Sequence, residues 1–253
     1  MNTYLKIDTA LPTGPAYLNL NTLSLPNALI NVGNLVRGYR FTNSYDDVTG
    51  ASSSQLIGTT TAVTDGYVLG KNGYIDTGAK ETSEFLWVIL VRTPSNGDGY
   101  SPTISNFVNA AVSTDGKACG QNLAKSFTGV KMSPTADTTT SPNFTASPLT
   151  IGNWALYALT RKLVTGTTYQ YHFSMKTPNQ TKVLKSSVNA VGVVPDLQSN
   201  VCIGWAPKSG TQLVDVSTTV NLASIHNIGL DQAALGTLVD NLITELAAQN
   251  IIL

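Results

Sequence analysis

Carboxylates are the first group of side chains in this sequence that could do acid–base chemistry. Their spacing argues against a catalytic role. The glutamates are at positions 81, 84 and 245. Enzymes that cleave sugar polymers need two carboxyl groups facing one cleft, about 5 to 10 Å apart, which on one strand requires alternate positions. No Glu-x-Asp-x-x-Glu pattern occurs. We therefore predict that Glu81, Glu84 and Glu245 are solvated charges.

Histidine and serine could instead act as base and nucleophile. The histidines are His172 and His226, and no Gly-x-Ser-x-Gly sequence surrounds a serine. We predict structural or surface roles for both histidines. No glycine-rich loop precedes a helix, so nucleotide binding is not indicated. The chain is predicted to be non-catalytic, and a polysaccharide hydrolase or lyase is the alternative.

Aromatic rings with amide or hydroxyl neighbours are the groups that recognise sugars. Tyr100 lies with Asn96 and Asp98 in the turn-rich sequence SNGDGYSP, where a loop aromatic is expected to be exposed. Trp205 is at a predicted strand end, just before Pro207, and Tyr74 lies in NGYIDTG. We predict that Tyr100, Trp205, Asn96, Asp98 and Tyr74 bind a ligand.

Aspartates in the turns could hold calcium, which takes six to eight oxygen ligands from loops. Asp46 and Asp47 follow a predicted strand, and Asp76 lies within another. The alternative is that these carboxylates bond their own backbone in turns. Asp46, Asp47 and Asp76 are therefore calcium candidates, and no other cofactor is indicated.

Composition excludes several partners. The chain has 253 residues, of which 12% are charged, and its net charge is zero. No broad positive field is present to attract nucleic acid or anionic lipid, and no apolar stretch approaches a membrane span. A net charge near zero favours self-association, so we expect a homo-oligomer. Cys119 and Cys202 lack a metal-like spacing and are expected to be buried thiols.

Hydrophobic patterns predict the elements. Residues 1–34 contain Pro12, Pro15 and Pro26 and are expected to form an extended arm or edge strands. Residues 35–253 are expected to form one domain of short strands. Its predicted landmarks are a buried central strand at 84–94, a hairpin from 153–161 and 167–176, and an amphipathic helix over 231–248 capped by Asp231. This pattern predicts an all-β, two-sheet antiparallel β-sandwich with one C-terminal helix.

Five landmarks, in order, resemble those of concanavalin A-like and laminin-G-like jelly-roll sandwich modules. They are LVRGYRFTNSYDDVTG, GYIDTG, EFLWVILVRTP, the pair NWALYALTR and TYQYHFSMK, and VCIGWAP with VNLASIHNIGLDQAAL. The resemblance, including the rest of the closing helix, covers about residues 35 to 245. The closing strand reads LASIHNIG, without the acidic residue that the family often carries there. The paired Asp and Asn of legume-type lectin metal loops are also missing.

The sparse charge and the Thr- and Asn-rich composition, together with the expectation that no signal peptide is encoded, resemble sandwich modules of bacteriophage tails and virions. That resemblance implies a lectin-like binding or structural module, located in the virion and assembled in the host cytoplasm. Its expected partners are a cell-surface carbohydrate or neighbouring virion proteins. The alternative is a purely structural assembly or decoration protein without a ligand, since fold alone does not determine function.

Overall fold

The chain forms two antiparallel β-sheets packed face to face, with helices on the outer face of the larger sheet. The computed structural model describes residues 25–42, 44–92, 102–108, 111–113, 121–124, 128–129, 143–144, 152–187, 190–191, 197–208 and 217–253. Every strand pair among them is antiparallel. The predicted all-β, two-sheet antiparallel sandwich with a C-terminal helix is confirmed.

The elements follow one another with short connections over most of the described chain. The first half contains α1 (Asn27–Val32), β1 (Leu35–Arg40), β2 (Gln55–Gly58), β3 (Thr61–Val63), β4 (Gly66–Leu69), β5 (Gly73–Asp76), β6 (Phe85–Arg92), β7 (Pro102–Ser105) and β8 (Asn122–Ala124). The second half contains β9 (Thr128–Gly129), β10 (Asn143–Phe144), β11 (Trp154–Thr165), β12 (Thr168–Thr177), β13 (Gln180–Ser186), β14 (Ala190–Val191), β15 (Cys202–Ile203), β16 (Thr218–His226) and α2 (Gln232–Ala247).

The larger sheet has nine strands within the described residues. Its main order is β13-β12-β11-β6-β16-β4-β3, with β1 paired to β16 and β14 paired to β12. The smaller sheet has the order β2-β5-β15-β7-β8, and β9 pairs with β10. The predicted hairpin is present as β11 and β12, which are joined at Gly166 with a positive φ of 55°.

Strand β6 contributes side chains to the hydrophobic cores on both faces of the larger sheet, and so holds the smaller sheet and the helices against it. Because successive side chains of a strand point to opposite faces, Phe85, Trp87, Ile89 and Val91 enter the core between the sheets. Leu86, Val88 and Leu90 enter a second core under the helices. All seven are buried. The predicted central strand, buried on both faces, is confirmed.

Helix α2 covers the outer face of the larger sheet. Asp231 caps its N-terminus, accepting a hydrogen bond from the backbone nitrogen of Ala234 at 2.9 Å, as predicted. The predicted apolar stripe is buried at Leu235, Leu238, Val239, Leu242 and Leu246. Among the described residues, no helix is long and apolar enough to span a membrane.

A second helix corrects the expectation of a wholly extended arm over residues 1–34. Residues 27–32 form α1, and Ala28 and Leu29 pack into the same core as α2. The backbone nitrogen of Ala28 donates to Glu245 on α2 at 3.0 Å. Residues 1–24 lie outside the described part of the chain. Because six residues are too few for a stable isolated helix, α1 depends on tertiary packing, which the local sequence does not reveal.

Candidate functional site

The predicted ligand-binding residues do not converge in the described structure. Asn96, Asp98 and Tyr100 lie outside the described residues. Trp205 is only 6% exposed, so most of its ring is packed inside the protein and little of it is accessible to a ligand. Tyr74 is half-buried on β5, opposite Ile57 on β2.

Tyr74 lies in a partly desolvated position. Burial raises the pKa of its hydroxyl, and the nearby Cys202 and Asp76 raise it further. The carboxylate of Asp76 is occupied, because its Oδ1 accepts from Gly78 N at 2.9 Å and from Asn200 Nδ2 at 2.8 Å. These contacts make Asp76 a turn-stabilising residue.

The calcium candidates are also separated. Asp46 and Asp47 lie in the turn after β1, while Asp76 lies on β5. Among the residues that the structure describes, no group of three or more His, Cys, Asp or Glu side chains could hold a metal ion. The three aspartates therefore do not assemble the oxygen-rich cage that calcium prefers.

The turn after β1 forms a small pocket, here called the Tyr45 pocket, with a volume of about 280 Å³. This is just below the range of about 300 to 1,000 Å³ for small-molecule sites. Its size therefore suits a single small ring. Its lining residues are Tyr45, Asp46, Asp47, Gly50, Ala51, Ser52, Ser54 and Leu56.

A chain of aromatic rings connects the pocket with the core. The buried rings of Tyr39 and Phe41 stack at 5.6 Å, and Phe41 contacts Tyr67 at 6.1 Å. The ring of Tyr45 meets Tyr67 edge-on, with centroids 5.7 Å apart and planes at 87°. Edge-to-face contacts of this kind hold a ring in place. Tyr45 is nevertheless 39% exposed, so part of its surface is available to a ligand.

Asp47 builds the turn and is not free to bind. Its carboxylate accepts from the backbone nitrogens of Gly38 and Thr49, each at 3.0 Å, and from Thr49 Oγ1 at 2.8 Å. Its Oδ2 also lies 3.4 Å from Arg37 Nε. The side chain of Asp47 is 2% exposed. The charge of Asp47 is thus balanced within the protein.

Asp46 and Ser52 supply the free polar groups of the pocket. Oδ2 of Asp46 accepts from Ser44 Oγ, and its Oδ1 has no hydrogen bond with the described residues. Ser52 is exposed, whereas Ser54 Oγ is already bonded to Tyr39 Oη at 2.8 Å. An exposed carboxylate oxygen and a hydroxyl beside an aromatic ring can receive a hydroxylated ligand.

Sequence reasoning named Asp46 and Asp47 but missed Tyr45. The signal was present, since Tyr45 directly precedes the two aspartates in a polar turn. Its neighbour Tyr67 is 22 positions away along the chain, and this contact holds the ring at the surface. A local sequence pattern could not reveal this contact between Tyr45 and Tyr67.

The structure also corrects the prediction that Glu81 is a solvated charge, because its side chain is buried. Its carboxylate lies 2.6 Å from Arg161 Nη1, and the side chains are 1% and 0% exposed. Asn106 donates to Glu81 at 2.7 Å, and Tyr171 Oη accepts from Arg161 at 3.0 Å. Burial raises the pKa of Tyr171 to about 12. Since these groups are sealed between the sheets, they link the layers and do not meet a ligand.

Comparisons with known proteins support the fold. No protein family matches the sequence, and no curated protein does. Among solved structures, a mutant of Trypanosoma rangeli sialidase with trans-sialidase activity is similar, with a TM-score of 0.52 and 15% identity over 80% of this chain. The match covers 32% of the sialidase chain.

The binding domains of two botulinum neurotoxins are similar as well. The serotype C1 domain has a TM-score of 0.50 and 14% identity, covering 84% of this chain and 53% of the toxin domain. The serotype D domain has a TM-score of 0.51 and 6% identity, covering 83% of this chain and 51% of its own. The chain thus spans about a third to a half of these proteins. At such identities the likeness concerns the β-sandwich fold alone.

Proposed function

We propose that this chain is a non-catalytic carbohydrate-binding module and that the Tyr45 pocket holds one sugar ring. The observation that carries the proposal is the exposed ring of Tyr45, which an edge-to-face contact with Tyr67 holds beside the free carboxylate oxygen of Asp46. The apolar face of a sugar contacts aromatic rings, and its hydroxyls donate to carboxylates. The volume of about 280 Å³ suits one ring.

The charges of the pocket favour an uncharged sugar. Asp47 is paired with Arg37, whereas Asp46 is exposed and lacks a cationic partner among the described residues. The pocket therefore carries a net negative charge. An acidic sugar would place a second negative charge beside Asp46, which costs free energy.

The proposed setting is a phage tail or virion, where the module would form a homo-oligomer and contact a cell-surface glycan or a neighbouring virion protein. The sparse charge and the zero net charge support association. Size-exclusion chromatography with light scattering tests the oligomer. A monomer at high protein concentration would contradict this part of the proposal.

Glycan binding is tested with an array of neutral and acidic glycans, followed by calorimetric titration of the best neutral ligand. Tyr45→Ala should weaken binding by about tenfold or more, equivalent to about 1.4 kcal/mol. Tyr45→Phe, which keeps the ring, should bind nearly as tightly as the wild type. Asp46→Asn should also weaken binding by about tenfold, because a hydrogen bond to a charged group is lost.

Two results would contradict the proposal. One is the absence of binding to every glycan of a broad array, which would favour a purely structural assembly role. The other is glycan binding that is equally tight in the wild type and in Tyr45→Ala. Circular dichroism of each variant checks that the fold is intact.

A further inference from the structure

We propose a second binding site for an uncharged, hydroxyl-rich ligand in a groove at the N-terminus of α2. This groove, called the α2 groove, lies between the β11–β12 hairpin, β13 and the start of the helix, and its volume is about 720 Å³. This volume is well within the usual range of about 300 to 1,000 Å³ for ligand sites. Its polar lining consists of Lys162, Gln170, His172, Ser186, Asp231 and Gln232.

His172 is the residue whose hydrogen bonding points most clearly to a ligand in the groove. It is 4% exposed, and its Nδ1 lies 2.7 Å from the hydroxyl of Ser186, its cross-strand partner on β13. Its other ring nitrogen, Nε2, has no hydrogen-bond partner among the described residues, although the ring lines the groove. This nitrogen is open to the groove, because it is not among the buried side-chain atoms that lack a partner. It can therefore form a hydrogen bond with a ligand hydroxyl in the groove.

The start of α2 adds two further unpaired groups. Asp231 accepts from the backbone nitrogens of Ala234 and Leu235 through its carboxylate and its carbonyl oxygen, both at 2.9 Å. The backbone N–H groups of Gln232 and Ala233 remain without partners within the described residues, as expected for the first turn of a helix. Both residues line the groove and can donate to a ligand.

An anion does not fit this helix terminus. The carboxylate of Asp231 already occupies the place where a helix N-terminus attracts negative charge, and it lies 3.1 Å from Lys162 Nζ. Nearby, Glu84 accepts from the backbone nitrogen of Leu163 at 2.8 Å. Burial lowers the pKa of His172, so its ring is neutral at neutral pH. The charges facing the groove thus do not favour a further negative charge.

The groove instead offers donors and acceptors side by side. Gln170 donates to Ser187 O at 2.9 Å, while its carbonyl oxygen can accept. Leu163 and Val164 form an apolar wall and are 39% and 49% exposed. Hydroxyls that both donate and accept, next to C–H groups that need an apolar surface, are the combination found in carbohydrates.

The α2 groove is separate from the Tyr45 pocket. Tyr45 packs on Tyr67, which pairs with Val220 near the start of β16. The groove begins beyond Arg161, which pairs with Phe85, next to the end of β16 at His226. At about 3.3 Å per residue along a strand, the two sites are on the order of 20 Å apart. A substitution that removes one site should therefore leave the other site intact for testing.

The test follows the imidazole signals by NMR in the Tyr45→Ala variant, which removes the first site. The chain has two histidines, and His226 is the internal control because both its ring nitrogens are bonded, to Gly33 O and Ser224 Oγ. Chitotriose, mannotriose and lactose are the neutral probes. At least one should shift the His172 signal in a saturable manner and leave the His226 signal unchanged.

Gln170→Ala removes the carbonyl oxygen that can accept from the ligand, and it should weaken binding of that sugar by about tenfold. Thr237→Ala, an exposed change further along α2, should leave the binding unaltered. Two outcomes would overturn the proposal: no saturable shift of His172 with any of the three probes, or a saturable shift with inorganic sulfate in place of sugar. Binding that persists in Tyr45→Ala but is weakened when Gln170→Ala is added supports the α2 groove even if the Tyr45 pocket binds nothing.

Discussion

Arg161 and Glu81 form an ion pair of 2.6 Å that is completely enclosed between the two sheets. Arg161 belongs to β11 of the larger sheet, and Asn106 joins the pair from the end of β7 in the smaller sheet. The guanidinium also donates to the carbonyl oxygen of Ser83 at 2.7 Å. The pair therefore links both layers of the sandwich with the segment that enters β6.

Removing one partner of this pair should be strongly destabilising. We expect Glu81→Ala to lower the free energy of unfolding by about 3 to 5 kcal/mol, because it leaves the buried charge of Arg161 unpaired. Urea unfolding followed by tryptophan fluorescence measures the change. Glu84→Ala, which removes a more accessible carboxylate, should cost about 1 kcal/mol. Equal effects of the two substitutions would contradict burial of the pair.

Acidification should destabilise the fold through its histidines. Burial lowers the pKa of both His172 and His226 below the ordinary value of 6.5. As the pH falls through 6.5, the unfolded chain therefore takes up protons before the folded one does, and the free energy of unfolding decreases. Urea unfolding between about pH 8 and pH 5 measures the slope. The double variant His172→Gln, His226→Gln should have a flatter profile, and an unchanged slope would assign the effect to other groups.

The packing of α2 on the sheet should contribute substantially to stability. Leu242 is completely buried in the core beneath the helix. Leu242→Ala should lower the free energy of unfolding by about 2 to 5 kcal/mol, because the cavity that it leaves refills only in part. Thr244→Ala is the control, since Thr244 is exposed and alanine favours helix. A loss at Leu242 no greater than at Thr244 would mean that α2 is not docked in solution.

Gly204 should not tolerate a side chain. It has a φ of 90°, and a Cβ atom there would lie 2.4 Å from Cβ of the buried Leu69. Gly152 also has a positive φ, of 81°, but nothing within 4 Å of the position of a Cβ. Both alanine variants bear the cost of the backbone conformation, so their difference isolates the clash. We expect Gly204→Ala to be less stable than Gly152→Ala by about 1 to 3 kcal/mol, as measured by thermal unfolding.

Local patterns predicted the central strand, the hairpin and α2 because each depends on the spacing of apolar residues along a short segment. The period of two in β11 and β12 and the helical stripe of α2 are properties of adjacent residues. Helix α1 escaped prediction because it has six residues, which is too few to be stable alone. Its packing against Glu245 and the core of α2 stabilises it.

The candidate sites depended on contacts between distant residues. Local polarity suggested a solvated Glu81, yet Arg161 is 80 positions away and lies beside it only because β11 pairs with β6. Tyr45 needs Tyr67 to hold its ring. His172 bonds Ser186 on the next strand and lines the groove together with Asp231, the N-cap of α2.

The sequence by itself therefore determined the fold class, the central strand and the terminal helix, because short-range hydrophobic periodicity encodes secondary structure and the face that each element buries. The tertiary structure alone decided which polar groups are sealed in the interior and which line the pocket and the groove. The physical reason is that burial and hydrogen-bond partners follow from the register of strands far apart in the chain, which short-range patterns do not encode.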